Sequence, residues 1–352
     1  MNPTLAPADR ILVRCPNWVG DLVMATPTFD CLRASFPHAR IAAVVRRYAR
    51  GVIEGGPWFD EVIDCDDKSA AGFTQTVRRL RAFGADAAVL LPNSLRSLLT
   101  VRLAGIGRVY GYRRGFRGLL LSDGPAPLRD GRTIRPVPMM RYYLDICRWL
   151  GLPVPEDPRP RLYVGEEAER FARAALARYG VGPDDVVVGL NPGAKFGSSK
   201  CWPVEHFARL AERLQESLGC KILLFAGPGE DVLADRIVRA GRARLINTGP
   251  DRVDLARLKP LVRRCNLLVT NDTGPRHYAV AFDVPTVVIM GPTDPRYTDA
   301  NLERTVVIRK DLDCSPCHKK TCPTDHRCMT AITPEEVFEA CERMLSGQRT
   351  AL

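Results

Sequence analysis

The 352-residue chain lacks any apolar run long enough to cross a bilayer. The longest, such as Val284 to Met290, falls far short of the roughly 18 residues that a span takes. The opening stretch MNPTLAPADRILVRC has no apolar core of signal-peptide length, so the expected location is the cytoplasm. Several catalytic signatures are missing too. There is no GxGxxG fingerprint, which argues against a dehydrogenase, and no GxSxG elbow, which argues against an α/β-hydrolase. No GxxxxGK[ST] phosphate loop is present. Acidic residues are the scarcer charge: 40 Asp and Glu against 51 Lys and Arg leave a formal charge of +11. An anionic membrane surface, a phosphorylated substrate or nucleic acid would each suit that excess, and so would a solvated arginine-rich surface. Nucleic acid is the least expected of these. The chain carries neither a nucleic-acid-binding fold signature nor aromatic residues interleaved with the basic ones.

What is present points to a two-domain α/β enzyme. Hydrophobic residues make up 45% and charged residues 26%, the balance of a globular protein, and the length exceeds what one core usually supports. The first half alternates strands and helices. Strands are expected at Arg10 to Arg14, Ile41 to Val45, Glu61 to Asp64 and Ala87 to Leu91, with helices at Asp21 to Phe36 and Phe73 to Phe83. Gly151 to Arg161 (GLPVPEDPRPR) has linker composition. The expected domains are therefore 1–155 and 156–352. The rhythm then restarts, with strands at Asp185 to Leu190, Lys221 to Ala226, Leu267 to Thr270 and Thr286 to Met290 and a helix at Val204 to Leu218. Two α/β halves with a cleft between them follow, and ligands in such sheets bind at the carboxyl ends of strands.

Four loops at strand ends could carry chemistry. In Cys15-Pro16-Asn17-Trp18-Val19-Gly20-Asp21, Asp21 opens a helix, and an N-cap is its plain structural role. Asn191-Pro192-Gly193-Ala194-Lys195-Phe196-Gly197-Ser198-Ser199-Lys200 combines small residues with two lysines just ahead of a helix, as an anion site would, or as an ordinary polar loop would. Glu230 and Asp231 follow Gly227-Pro228-Gly229; such acids either hydrogen-bond ribose hydroxyls or favour a helix N-terminus. Asn271-Asp272-Thr273-Gly274 with His277, partnered by Gly291-Pro292-Thr293-Asp294-Pro295, suits a diphosphate. Asp64-Cys65-Asp66 and Asp311-Leu312-Asp313 spell the DxD of metal-dependent glycosyltransferases, a match short enough to arise by chance.

Taken in order, Pro16 to Asp21, Leu91-Pro92-Asn93-Ser94, Asn191 to Ala194 with Lys200-Cys201-Trp202-Pro203, Asn271 to Gly274 with His277, and Gly291 to Pro295 resemble the heptosyltransferase family, glycosyltransferase family 9. The Trp-Val-Gly-Asp and Leu-Pro-Asn-Ser forms look more like its type II than its type I members. The resemblance spans about Ile11 to Tyr297. It implies a GT-B fold of two Rossmann-like doubly wound domains facing a cleft, and an inverting transfer without a catalytic cofactor. The implied donor is ADP-heptose. The implied acceptor is the first heptose of the lipopolysaccharide inner core, reached by peripheral contact with the cytoplasmic leaflet of the inner membrane. By the same resemblance Asp21 is the general base and Lys200 the phosphate-binding lysine. Asp272, Thr273 and Gly274, with Asn191, Gly193 and His277, bind the donor; the ribose acid is Glu230 or Asp231. Asn17, Trp18, Asn93 and the arginines Arg113, Arg114 and Arg117 are candidates for acceptor contact, the arginines competing with a solvated basic turn. The rival functions are another member of the family with a different acceptor or donor, a GT-B-like epimerase, and a basic zinc-containing nucleic-acid binder.

Twelve cysteines occur, eight scattered as small core residues. The other four, Cys314, Cys317, Cys322 and Cys328, crowd one short segment poor in apolar residues. Their spacing suits one structural zinc with no open coordination position, with His318 and His326 as spare ligands; two disulfides and four unligated thiols are the alternatives.

Overall fold

A computed structural model of the protein describes residues 5, 8–66 and 68–349, so the outer ends of the two expected domain ranges lie outside the described residues. The chain divides into two compact units. Unit 1 comprises residues 1–163 with Arg296–Ala300, and unit 2 comprises Val164–Pro295 with residues 301–352.

Unit 1 is built on strands β1 (Arg10–Arg14), β2 (Arg40–Arg46), β3 (Glu61–Cys65), β4 (Ala87–Leu90) and β5 (Arg108–Gly111), all parallel, in the order β3-β2-β1-β4-β5. Its helices are α1 (Val19–Met24), α2 (Thr26–Ser35), α3 (Arg50–Ile53), α4 (Ala70–Phe83), α5 (Leu95–Leu103) and α6 (Met139–Trp149). A short antiparallel pair, β6 (Arg129–Asp130) and β7 (Thr133–Ile134), follows β5. The central strands read as unbroken apolar runs because a parallel sheet is covered on both faces; Ile11, Leu12 and Val13 are fully buried, as are Ala87 to Leu90.

Unit 2 repeats the plan with one strand more. Strands β8 (Val187–Asn191), β9 (Lys221–Leu224), β10 (Leu245–Asn247), β11 (Leu267–Asn271), β12 (Thr286–Ile289) and β13 (Thr305–Ile308) run parallel in the order β10-β9-β8-β11-β12-β13. Its helices are α7 (Glu166–Arg178), α8 (Val204–Leu218), α9 (Asp231–Ala240), α10 (Leu255–Arg264), α11 (Gly274–Ala281), α12 (Arg327–Thr330) and α13 (Pro334–Arg349). Helix α8 shows why this sequence folds so. Phe207, Leu210, Ala211 and Leu214 recur on one face and enter the core beneath β8 and β9, and Gly219 ends the helix in a left-handed turn at φ +60°.

In each unit the first strand lies at the centre, and strand addition reverses direction between it and the fourth strand of that sheet. Because parallel crossovers are right-handed, the reversal puts the connecting helices on opposite faces and leaves a crevice at the carboxyl ends of the two central strands. These switch points lie at β1/β4 in unit 1 and at β8/β11 in unit 2.

One expectation is corrected. The segment from Asp21 to Phe36 is two helices, α1 and α2, broken at Ala25. Pro27 sits in the first turn of α2, where a missing N–H costs least, and so starts a new helix in place of extending the old one.

Candidate active site

At the β8/β11 switch point of unit 2 a single carboxylate organises the loops. Asp272, just beyond β11, accepts from Lys200 Nζ at 2.8 Å and Thr293 Oγ1 at 2.7 Å on Oδ2, and from Arg276 Nη1 at 2.8 Å on Oδ1. Lys200 Nζ also donates to the Asp272 carbonyl at 2.8 Å. Burial alone would raise this carboxyl, but the charges of Lys200 and Arg276 and the hydrogen bonds from Lys200 and Thr293 overcome it and hold the group far below the usual carboxylate range. Two cationic side chains, Lys200 and Arg276, thus converge on this one carboxylate. It sits at the N-terminus of α11, where backbone N–H groups face outward and an anion is favoured.

The surrounding residues shape this pole. Asn191, at the end of β8, donates from Nδ2 to Thr270 Oγ1 and Thr273 Oγ1, both at 3.0 Å. Asn271 ties the same loops together, donating to the Pro192 carbonyl at 2.6 Å and accepting from Trp202 N–H at 3.2 Å. Of the two candidate ribose acids, half-buried Glu230 accepts from Gly227 N–H at 2.8 Å and lies against Gly193, where a Cβ would fall 2.0 Å from its Oε1. Asp231 is exposed in the first turn of α9. Gly274 opens α11 with Pro275 behind it. His277 is buried one turn in. Burial and the charges of Arg276 and Lys200, against the opposing pull of Asp272, bring its pKa down to about 3, so at neutral pH it is an uncharged ring.

The cysteine-bearing segment braces these loops. Ser199 donates from its N–H to the Lys320 carbonyl at 3.1 Å and from Oγ to the Lys319 carbonyl at 2.6 Å, and its own carbonyl meets His326 Nε2 at 2.7 Å. Gly197 lies so close that a Cβ there would stand 2.2 Å from the Lys320 carbonyl oxygen. At the other end Ser315 Oγ donates to the Gly291 carbonyl at 2.7 Å, and the N–H groups of Cys317 and His318 both reach the Pro292 carbonyl. The segment thus links the neighbour of Lys200 to the neighbours of Thr293. Cys314, Cys317, Cys322 and Cys328 are free thiols. Burial, and then the proximity of Cys322, Cys314 and Cys317, push the Cys328 thiol up. Among the described residues no three His, Cys, Asp or Glu side chains are grouped so as to hold a metal ion, the two DxD triplets included. Asp66 instead accepts from Lys68 N–H and Ser69 Oγ in the turn that leads into α4.

In unit 1 the β1/β4 switch point carries the other candidates. Asp21 is the third residue of α1, whose N-cap is Trp18, so the capping role does not fall to it. It is half-buried and accepts from Tyr143 Oη at 3.0 Å; burial, then the Asp21 charge and this bond, push the Tyr143 phenol well above its ordinary value and keep it a donor. The Asn17 side-chain oxygen is taken by Arg14 at 2.8 Å and Arg46 at 2.9 Å, which makes Asn17 part of the loop's frame, while Trp18 is exposed. Asn93 Oδ1 accepts from Tyr142 Oη at 3.2 Å, and Tyr142 stacks on Tyr112 at 3.7 Å. Arg113 and Arg114 are exposed. Arg117 is not part of a solvated turn: it is buried, and its Nη1 donates to the Pro92 carbonyl at 2.7 Å. Arg14, Arg276 and Tyr143 were not singled out by the sequence as site residues, and Thr293 entered only as part of the Gly291 to Pro295 loop, although Arg276 stands four residues after Asp272, the spacing of a helical ion pair.

Residues 73–327 match the family model described as "Glycosyltransferase family 9 (heptosyltransferase)", well over half the chain. The chain belongs to this family. It is 29% identical to the Haemophilus ducreyi lipooligosaccharide heptosyltransferase 2, over 96% of this chain and 99% of that one. It is 28% identical to the Salmonella typhimurium lipopolysaccharide heptosyltransferase 2 over the same shares. The solved structure of E. coli ADP-heptose lps heptosyltransferase II matches with a TM-score of 0.79 at 26% identity, covering 97% of this chain and 99% of that one. The fold is therefore GT-B, and this family-9 chain is a glycosyltransferase of the heptosyltransferase type.

Two measurements follow from the unit 2 cluster. Asp272→Ala leaves Lys200 and Arg276 without their shared carboxylate, and removing one partner of a buried ion pair costs about 3–5 kcal/mol; urea unfolding should register a loss of that size. His277 should make stability acid-sensitive. Between its ordinary 6.5 and about 3 the unfolded chain binds a proton there that the folded chain refuses, so stability falls as pH drops through that window. In His277→Gln the unfolding free energy should vary less steeply with pH across it.

Proposed function

We propose that the protein is an inverting heptosyltransferase that moves L-glycero-D-manno-heptose from ADP-heptose to the first heptose of the lipopolysaccharide inner core, working at the cytoplasmic face of the inner membrane. The observation that carries this reading is the ammonium of Lys200, held by the Asp272 carboxylate and carbonyl at the N-terminus of α11. An ADP leaving group gathers negative charge as the sugar–phosphate bond breaks, and a fixed cation beside helix N–H groups meets that charge without reorganising. The near-full-length likeness to heptosyltransferase 2 enzymes supports the same donor and acceptor classes.

In this reading unit 2 holds the donor. Lys200 contacts the diphosphate, with Gly274 and Thr273 offering N–H groups. Asp272 is a positioning residue that keeps Lys200 extended, since Lys200, Arg276 and Thr293 already occupy both of its oxygens. Glu230, resting on Gly193, takes a ribose hydroxyl; Asp231 serves the start of α9. Unit 1 holds the acceptor, with Asn93, Arg113 and Arg114 nearest to it. Asp21 takes the proton from the acceptor hydroxyl as its oxygen attacks the anomeric carbon from the side opposite ADP, which inverts that centre. The electrons of the broken bond leave on the β-phosphate oxygen. The Tyr143 phenol orients the Asp21 carboxylate.

Mass spectrometry of products formed from ADP-heptose and a Kdo-containing heptosyl acceptor tests the reaction, and absence of a heptose adduct overturns it. Asp21→Asn should lower kcat by roughly 10²-fold or more, the scale of a general base, with donor binding and melting temperature little changed; near-normal turnover would remove Asp21 from the chemistry.

No divalent metal is assigned to the transfer, because Lys200 and α11 supply the charge. Activity should persist in EDTA, and loss restored by Mg²⁺ or Mn²⁺ would contradict this. A structural zinc on Cys314, Cys317, Cys322 and Cys328 is a separate proposal. It requires about one zinc per chain by elemental analysis of protein purified without added metal, and four alkylatable thiols in native protein would end it.

A further inference from the structure

Six of the eleven exposed large hydrophobic residues among those described fall on two adjoining pieces of unit 1: Leu95, Leu99 and Leu103 on α5, and Phe116, Leu119 and Leu120 on the 3₁₀ segment Gly115–Leu120. Phe116 is 93% exposed and Leu119 84%. The α5 leucines recur every four residues and form one outward stripe, while Leu98 and Val101 on the other face enter the core. Arg102 Nε donates to the Leu120 carbonyl at 2.7 Å and joins the two pieces.

The charge of the stretch that contains both pieces is one-sided. Residues 95–135 contain nine arginines against two aspartates, with no lysine or glutamate, a net +7 out of the chain's +11. Arg96, Arg113, Arg114, Arg129, Arg132 and Arg135 are exposed.

We propose that α5 and Gly115–Leu120 form a docking surface for an anionic lipid bilayer, the apolar side chains entering the interface and the arginines meeting lipid phosphates. Protruding leucines and a phenylalanine with exposed arginines interspersed along the same stretch of chain are what an interfacial anchor needs. A second copy of the chain fits poorly, because two faces of like charge would repel. Position adds to the case. Helix α5 is capped by Ser94, directly after Asn93, and Arg117 anchors the 3₁₀ segment to the Pro92 carbonyl. The surface thus continues into the strand-end loop at β4 and would bring that loop to the height of a saccharide projecting from the membrane. This inference rests on the reading that the acceptor is carried by a lipid.

The test is co-sedimentation of the whole protein with vesicles of phosphatidylglycerol and phosphatidylethanolamine, against phosphatidylcholine alone, at about 0.1 M salt, where screening is moderate. The expected result is binding to the anionic vesicles that weakens with salt. Phe116→Ser with Leu119→Ser should lower partitioning about tenfold or more, two large apolar groups being withdrawn from the interface. The same double variant should transfer normally to a soluble deacylated acceptor and poorly to a vesicle-embedded one. Wild-type protein that ignores anionic vesicles, or a double variant that binds them equally well, overturns the proposal. So does a dimer in sedimentation velocity that the double variant dissolves, which would assign the surface to a second copy. Vesicle binding without transfer to either acceptor would fail the heptosyltransferase reading and leave the docking surface standing.

Discussion

The carboxylate of Asp272 is the joint on which unit 2's functional end turns. It draws in Lys200 from the loop before α8, Arg276 from the first turns of α11 and Thr293 from the loop after β12. Neither Asp272 nor Arg276 could stay so deeply buried alone, since the cost of taking a lone charge out of water is far beyond what a loop can supply. Each is tolerated because the others are there, and the loops that bring them are fixed in consequence. The cysteine-bearing segment is an outer frame to the same joint, holding Ser199 on one side and Gly291 and Pro292 on the other.

The strand order explains why the informative loops lie where they do. Reversal of strand addition leaves open the carboxyl ends of β1 and β4 in one unit and of β8 and β11 in the other. The segments after those four strands contain Asn17 and Asp21, Asn93, Gly193 and Lys200, and Asp272 to Gly274. A crevice at a reversal is the one part of such a sheet not roofed by a crossover helix.

Much of this was legible in the sequence. Unbroken apolar runs marked the central strands, and Gly, Pro and Asn clusters marked the loops at their ends. The edge strands β5, β10 and β13 were not anticipated: β10 is only three residues long, and β13, although it repeats the Thr-Val-Val-Ile of β12, is half-buried at the sheet edge. Burial of polar groups was the other thing hidden. Arg113, Arg114 and Arg117 look alike as a sequence, yet one of them turns inward to the Pro92 carbonyl while the other two face solvent. Glu230 and Asp231 are adjacent acids, and only the fold separates the one resting on Gly193 from the one exposed on α9. The loops after the neighbouring strands β11 and β12 were already paired in the sequence, but the hydrogen bond from Thr293 to Asp272 that joins them is set by sheet register.

The contact between Gly193 and Glu230 has an evolutionary corollary. The carboxylate fills the space that any side chain at position 193 would need, so the two positions form a single locus: enlarging one demands shortening or displacing the other. A side chain at position 193 would push the flexible Glu230 carboxylate off its seat, whereas shortening residue 230 meets no such barrier, so descendants of this chain that recruit a different nucleotide have an easier first step at position 230 than at position 193.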